Sequence, residues 1–465
     1  MPAIIETYIN RCTEAITLRN WAVALEYIER CIRLAPDEPR VTFLYGKLHL
    51  ALGEPYKAKK AFEELLVLFP NSTVIMAALV DCKMAANEVT DAKVSMCKLV
   101  REHPNNEIAL LCAATTYELV ADFNTSRLYY EKLLSLEPSH DSKTLAAKAL
   151  LRHGEWARGW RNYESRRHNG SVAYNSYGLP PWNGSNLKLE ERSSRHRSIL
   201  IIAEQGIGDC LQFLRYLRYL YDYFDTIVLV CHAEVQPLVK SSRNLFVFPL
   251  ESLNEADSLL KVEIDNLTLN CWAPLMSLPH LLGRHQPTNP LFTLNILDLD
   301  LFDLSKFTFT SDIDRLKIGY CYAVNPLSET ELRPQTKRAM SSEEMLTIVE
   351  IISKDLLSGQ NRTGTCDVLQ ERLRAFKCKT NYSIEYVDLT FGINFKPKDY
   401  LETCQFLKKF DLIVSVDTSI VHACGVLGKP CIIVVPRSSD WRWGEASAVS
   451  AWYPSVRILR YPHAS

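Results

Sequence analysis

The sequence predicts an all-α solenoid followed by an α/β module built from two doubly wound halves. Three observations carry this: prolines recurring at a fixed step through the first third, an apolar strand running into a glycine turn and a helix just after residue 197, and a second strand–turn–helix unit beginning at Asp411. At 465 residues the chain is too long for one core, which agrees with a modular reading.

Pro36, Pro70, Pro104 and Pro138 stand 34 residues apart each time. Other columns keep the step. Ala24, Ala58, Ala92 and Ser126 are small; Ile28, Phe62, Met96 and Tyr130 are large and mostly apolar; Cys31, Leu65, Leu99 and Leu133 supply a third contact. Within a unit these columns fall at i, i+4 and i+7, one face of an amphipathic helix, and the proline ends that helix and opens the next. An ordinary helical bundle has no reason to hold four prolines in register. The pattern resembles the tetratricopeptide repeat, a helix–turn–helix unit that stacks into a solenoid. His153-Gly154-Glu155 with Trp156, Trp160 and Tyr163 form a further, degenerate unit, expected to cap the stack. The concave face of such a solenoid commonly binds extended protein segments, so a macromolecular partner is expected; an oligomerisation arm is the alternative.

From His168 to Arg197 the helical pattern gives way to Asn169-Gly170, Gly178-Leu179-Pro180-Pro181, Asn183-Gly184 and a charged run, which read as a connector. Ser198 to Ala203 then reads as a buried parallel strand, Glu204 to Asp209 as a glycine turn, and Cys210 to Leu220 as a helix. Gly206 and Gly208 allow backbone conformations or close approaches that a side chain would obstruct. Asp209 lands at the helix start, where it is either an N-cap or a general base toward a hydroxyl. Thr226 to Cys231 and Leu245 to Leu250 supply later strands.

Lys317 to Ala323 opens the second half, and Asp411 to Val416 is a later strand followed at once by Asp417-Thr418-Ser419 and a helix over 420–427. Hydroxyls and backbone N–H groups at a helix N-terminus suit a phosphate, and His422 lies one turn on from Thr418 on the same face. The alternative is that Asp417 caps the helix and His422 packs under a loop. Trp441, within Asp440-Trp441-Arg442-Trp443, lines a base or sugar pocket or belongs to interface core.

Composition excludes several classes. With 53 basic and 54 acidic residues there is no global field to attract nucleic acid or an anionic membrane. The 14 cysteines are scattered singly, without a C-x-x-C pair, and read as buried small apolar residues in a reducing compartment. The first residues show no signal-peptide pattern, and no uncharged apolar run is long enough to span a bilayer, so a cytoplasmic location is expected. Asp298-Leu299-Asp300 has the form of a D-x-D metal motif, yet it lies in a Leu/Asp run between the halves rather than after a strand, and reads as connector. No metal or other cofactor is expected.

Several segments together resemble bacterial tetratricopeptide proteins carrying a heptosyltransferase-like glycosyltransferase module. They are Leu179 to Gly184, Ala203 to Asp209, Gln212-Phe213, Arg215 to Leu217, Pro274 to Pro279, Asn325-Pro326, Val414 to Pro430, Asp440 to Trp443 and Trp452 to Ser455, spread over most of residues 20–460. The resemblance implies a GT-B module of two Rossmann-like domains, with Asp209 as base and the donor at Asp417, Thr418, Ser419 and His422; Lys337-Arg338 falls where the family has an arginine before its next helix, so that one of the two contacts the phosphate or both form a solvated basic pair. It also implies an inverting transfer from a nucleotide sugar to Ser or Thr of a protein, with flagellin as an acceptor and nonulosonic acids among the sugars. Two departures are Val324, where the family carries glycine, and the stretch 353–379, which matches nothing in it. The boundaries are then solenoid 1–168, linker 169–197, acceptor-side domain 198–312 and donor-side domain 313–465. The repeats hold no concentration of catalytic groups, so residues 1–150 read as separable from the chemistry, provided the degenerate last unit stays in place, because Trp156, Trp160 and Tyr163 are expected to pack against the transferase module. A non-catalytic adaptor with a relic transferase domain, and a transferase acting on lipid-linked glycan or lipopolysaccharide, are the competing functions.

Overall fold

The structure, a computed structural model, describes residues 2–168, 178–185, 196–239, 244–253, 269–287, 315–324, 338–358, 383–390 and 396–461. Lys337, Asn325-Pro326, Asp298 to Asp300 and most of the connector lie outside the described residues.

Ten helices open the chain: Pro2–Thr17 (α1), Trp21–Leu34 (α2), Pro39–Ala51 (α3), Pro55–Leu68 (α4), Thr73–Ala85 (α5), Val89–Glu102 (α6), Glu107–Leu119 (α7), Phe123–Leu134 (α8), His140–Arg152 (α9) and Trp156–Tyr163 (α10). They pack as five consecutive pairs. All twelve residues of the three periodic columns are buried, and the four prolines fall in the turns between one pair and the next. The turn inside each pair repeats a conformation that the residue types do not announce. Arg19, Gly53, Asn87, Ala121 and Gly154 all take positive φ, at 56°, 75°, 62°, 59° and 84°. Only two of them are glycine, so the other turns carry a backbone strain that the packing of the pair must outweigh.

Two parallel sheets come next in the chain. Ser198–Ile202 (β1), Thr226–Cys231 (β2), Leu245–Pro249 (β3) and Cys271–Pro274 (β4) lie in the order β3-β2-β1-β4. Arg315–Cys321 (β5), Ser383–Asp388 (β6), Leu412–Ser415 (β7), Cys431–Pro436 (β8) and Val456–Tyr461 (β9) lie in the order β6-β5-β7-β8-β9. Strands β1, β2, β7 and β8 are buried along their whole length, which is why they read as unbroken apolar runs rather than alternating ones. The helices beside them are Ile207–Phe213 (α11), Leu278–Leu281 (α12), Ser342–Ser358 (α13), Tyr400–Leu407 (α14) and Ser419–Val426 (α15). Where the sequence suggested one helix from Cys210 to Leu220, α11 begins three residues earlier and the chain tightens into a 3-10 helix over Leu214–Asp222.

The last helix pair ends the solenoid and also packs against the α/β module. Ala147 and Leu151 of α9 and Trp160 and Tyr163 of α10 belong to the same core as Phe213, Trp441 and Trp452. The Trp160 ring lies edge-on to Trp441 at 5.5 Å and to Phe213 at 5.6 Å, and its indole N–H donates to the His285 carbonyl at 2.7 Å. Polar ties reinforce this joint: Arg152 Nη2 donates to the Ser439 carbonyl at 2.8 Å, and His153 Nδ1 lies 2.8 Å from Glu445 Oε1. The repeats and the α/β module are therefore joined through one core.

Candidate active cleft

In a doubly wound sheet the neighbour order reverses at one point, and loops at the carboxyl ends there diverge to leave a crevice. The reversal falls between β1 and β4 in the first sheet and between β5 and β7 in the second. The segments leaving β1 and β7 both border one cleft of ≈ 970 Å³, whose third wall comes from the repeats through Thr115, Glu118, Tyr130, Lys148 and Arg152.

The turn after β1 is held from below. Glu204 is buried, and Arg166, at the end of the helical region, grips it with Nε at 3.0 Å from Oε2 while also donating to Ser277 Oγ at 2.9 Å. The Met276 N–H donates to Glu204 Oε1 at 3.2 Å. Gln205, at φ 62°, supplies the left-handed step and donates through Nε2 to the Tyr163 hydroxyl at 2.9 Å. Of the two uses open to the glycines, the special backbone conformation falls on Gln205, and Gly206 takes an extended conformation with φ -86°. Gly208 is needed for close approach instead, because a Cβ there would lie 2.7 Å from His422 Cδ2.

Asp209 sits in the first turn of α11 rather than at its cap. Its Oδ2 accepts from the Gly206 N–H at 3.0 Å, and its Oδ1 is bound by the guanidinium of Arg442. Burial pushes this carboxyl up, while Arg442 and the Gly206 N–H act against it. Arg442 is itself fixed on several sides. Nη1 donates to Asp440 at 2.8 Å, Nε donates to Gln212 Oε1 at 2.9 Å, and the guanidinium lies 4.4 Å from the centre of the Trp441 ring. Burial works to raise Asp440, yet Arg442 holds it down at about 2. Sequence reasoning missed Arg166 and Glu204 as site residues, and it placed Arg442 only within the segment Asp440 to Trp443. A carboxylate placed between a strand and a glycine turn was the available signal that a buried partner must exist.

On the second sheet, Thr418 rather than Asp417 is the N-cap of α15, and neither side chain caps the helix. The Thr418 and Ser415 hydroxyls lie 3.1 Å apart, and the Ser419 hydroxyl is bound to that of Tyr400. Asp417 is buried; burial and the nearby charge of Asp440 push its carboxyl up to about 6, with Arg338 opposing. Arg338 Nη1 reaches the Asp417 carbonyl at 3.4 Å. Burial, with Arg442 adding to it, takes His422 down to about 3, so its imidazole is neutral at physiological pH. Its Nδ1 lies 2.9 Å from the Tyr453 hydroxyl.

The cleft brings together Gly206, Gly208, Asp209, Arg338, Asp417, Thr418, Ser419, His422 and Trp441. Trp441 also belongs to the core where the modules meet. Chemically, the site offers hydroxyls, a guanidinium and a helix N-terminus beside a carboxylate and a neutral imidazole.

No known family model matches the chain. No curated protein matches it. Among solved structures, an O-GlcNAc transferase mutant of Thermobaculum terrenum aligns over 93% of this chain and 83% of its own, at 12% identity and a TM-score of 0.33. A tetratricopeptide protein of Thermus thermophilus aligns over 36% of this chain and 91% of its own, at 16% identity and TM-score 0.32. One from Parabacteroides merdae aligns over 36% and 65%, at 18% and 0.33. These likenesses are weak, and the fold stands on the chain's own helix pairing and strand order.

Proposed function

We propose that this chain is a GT-B-type glycosyltransferase that moves a sugar from a nucleotide-sugar donor to a hydroxyl of a protein acceptor. One observation carries the reading: the turn after β1, bearing Asp209, and the N-terminus of α15, bearing Thr418 and Ser419, border the same cleft at the switch points of two parallel sheets. In this reading the donor diphosphate lies at the α15 N-terminus with Arg338, where its departing negative charge is stabilised. The acceptor oxygen attacks the anomeric carbon as the bond to the phosphate oxygen breaks and its electron pair leaves with the nucleotide. Asp209 takes the hydroxyl proton, for which the outer lone pairs of its carboxylate are available. His422 serves as a neutral hydrogen-bonding group. A single displacement inverts the anomeric centre. The reading includes no metal or other cofactor, a cytoplasmic site of action, and flagellin as the first acceptor to try, as the sequence resemblance implied. Among the described residues no helix is long and apolar enough to cross a membrane.

The test is calorimetric titration with UDP-, GDP-, TDP- and CMP-linked sugars, followed by intact-mass measurement of flagellin and other bacterial surface proteins incubated with enzyme and the donor that binds. A sugar-sized mass gain with release of nucleotide is expected. Absence of both binding and mass gain across the panel would sink the proposal. One observation favours a binding-only adaptor: both Asp209 oxygens are already engaged, by a helix N–H and by Arg442, as in a purely structural aspartate. Donor binding without any turnover would select that reading.

A further inference from the structure

The wall contributed by the repeats carries charge that the transfer chemistry leaves unused. Glu118 on α7 is committed: Oε2 accepts from the Tyr130 hydroxyl at 2.9 Å and Oε1 is bound by Arg152. Asp440, in the loop after β8, is likewise committed to the guanidinium and the backbone N–H of Arg442, at 2.8 and 3.0 Å. Lys148 stands one turn before Arg152 on α9, half-buried and lining the cleft. It has no ion pair among the described residues, and the carboxylate that feels its charge is Asp440, whose Oδ1 is bound by the Arg442 guanidinium that Asp209 shares.

The same corner has donors in excess. Nε of Arg152, the hydroxyl of Ser439 and the indole Nε1 of Trp441 are buried without a hydrogen-bond partner among the described residues, and all three residues line the cleft. Lysine, arginine and tryptophan only donate, and a serine hydroxyl turns to donate when an acceptor arrives. Half-buried cationic charge and unmatched donors together select a ligand that only accepts, and charge-assisted bonds favour an anion over a neutral carbonyl.

We propose that the corner between α9 and the loop after β8 is an anion subsite, in which Lys148 and Ser439 bind a carboxylate or phosphate group carried by the substrate. The proposal rests on the transferase reading for what the anion belongs to, but not for the existence of the subsite. The loop after β8 touches the repeats, where Arg152 donates to the Ser439 carbonyl, whereas the phosphate position at the α15 N-terminus follows the neighbouring strand β7. The anion is therefore a group other than the departing diphosphate: an acidic substituent of the transferred sugar, or an acidic side chain of the acceptor.

The experiment titrates the full chain with malonate, by calorimetry and thermal shift, against a chloride control of equal ionic strength. Malonate is expected to bind and to raise the melting temperature. Lys148→Met should weaken it roughly tenfold or more, the usual scale for losing a bond to a charged group. Lys148→Arg should retain most of the affinity, and Ser439→Ala should weaken it by a smaller factor. A UDP-glucuronate effect that malonate competes away, with UDP-glucose unaffected, assigns the anion to the donor sugar. Malonate binding alongside every nucleotide sugar assigns it to the acceptor. Thr418→Ala separates the two proposals, since it should impair nucleotide binding and leave the Lys148-dependent malonate signal in place. If nucleotide sugars fail to bind while that signal persists, the transferase reading falls and the subsite stands. Malonate binding equal in wild type and Lys148→Met, or no stabilisation beyond chloride, overturns the subsite.

Discussion

The imidazole of His422 lies against Gly208, so that the two α/β halves touch through a histidine ring resting on a bare backbone. A methyl group at Gly208 would lie 2.7 Å from Cδ2, whereas one at Gly206 would lie 3.4 Å from the Asp209 carboxylate. The ring cannot yield easily, because Tyr453 holds its Nδ1 and the Trp443 ring lies 5.6 Å away. Gly208→Ala should therefore destabilise the protein by about 1–3 kcal/mol, the usual range for overpacking, and weaken ligand binding in the cleft. Gly206→Ala should cost under about 1 kcal/mol. Denaturant melts of both variants check this; equal losses would show that the contact does not set the spacing of α11 and α15.

Asp209→Asn keeps the size of the side chain and an oxygen for the Gly206 N–H, but it cannot take a proton at neutral pH. Transfer should fall by roughly 10²-fold or more with donor affinity largely retained. Arg442→Gln removes the charge that opposes the upward push of burial on Asp209. The acidic limb of kcat/KM should then move to higher pH. An unmoved limb would mean that Asp209 is not the group titrating in that profile.

His422 and Asp417 should impose opposite pH slopes on stability. The folded-state value for His422, about 3, lies below the ordinary 6.5, so the unfolded chain binds a proton that the folded chain refuses, and stability is lost as pH falls from about 6.5 to about 3. The folded-state value for Asp417, about 6, lies above the ordinary 3.8, so the folded chain keeps its proton longer and stability is lost as pH rises from about 4 to about 6. Asp417→Asn should raise the melting temperature at pH 7.5 and steepen the acid loss below pH 6. His422→Asn should flatten that acid limb whatever its packing cost. Parallel melting curves for wild type and Asp417→Asn across pH 4 to 8 would refute the assignment.

Truncation should respect the shared core rather than the repeat pattern. Removing residues 1–150 cuts through α9 and discards Ala147, a member of the joint with the α/β module, so the remainder should be insoluble or lack a cooperative melt. Removing residues 1–70 takes away α1 to α4 at an inter-pair turn and should leave a folded protein that still binds nucleotide sugar, because stacked repeats depend mainly on their neighbours. Circular dichroism and calorimetry on the two truncations decide it. A soluble, cooperatively folded 151–465 with full donor affinity would show the modules to be separable after all.

Much of this architecture was legible because it is written at short range. The 34-residue step places Ala24, Ile28 and Cys31 and their counterparts on one buried helix face, since spacing along a helix fixes which side chains share a side. The runs at 198–203 and 411–416 announced strands, and the glycine turn and Asp417-Thr418-Ser419 announced the helices α11 and α15. Those patterns involve residues within a turn or two of each other, so periodicity and turn chemistry suffice to read them.

Pairing at long range needed the tertiary structure. That Arg442 would bind Asp209 across 233 residues, that Arg166 would meet Glu204, and that the solenoid's Lys148 would stand in the cleft leave no trace in local spacing. Gly208 looked like a turn glycine, and only the approach of His422 shows that it is needed for room, while the left-handed step went to Gln205. The sequence by itself determined the repeat helices, the strands β1, β2, β3, β5 and β7 and the turns that follow β1 and β7, whereas β4, β6 and β9 appeared only in the structure. Which charges oppose one another, and so whether each carboxylate is held ionised or pushed toward protonation, was decided by how the two sheets and the last repeats close on one another, because burial and Coulomb energy depend on distances through space rather than along the chain.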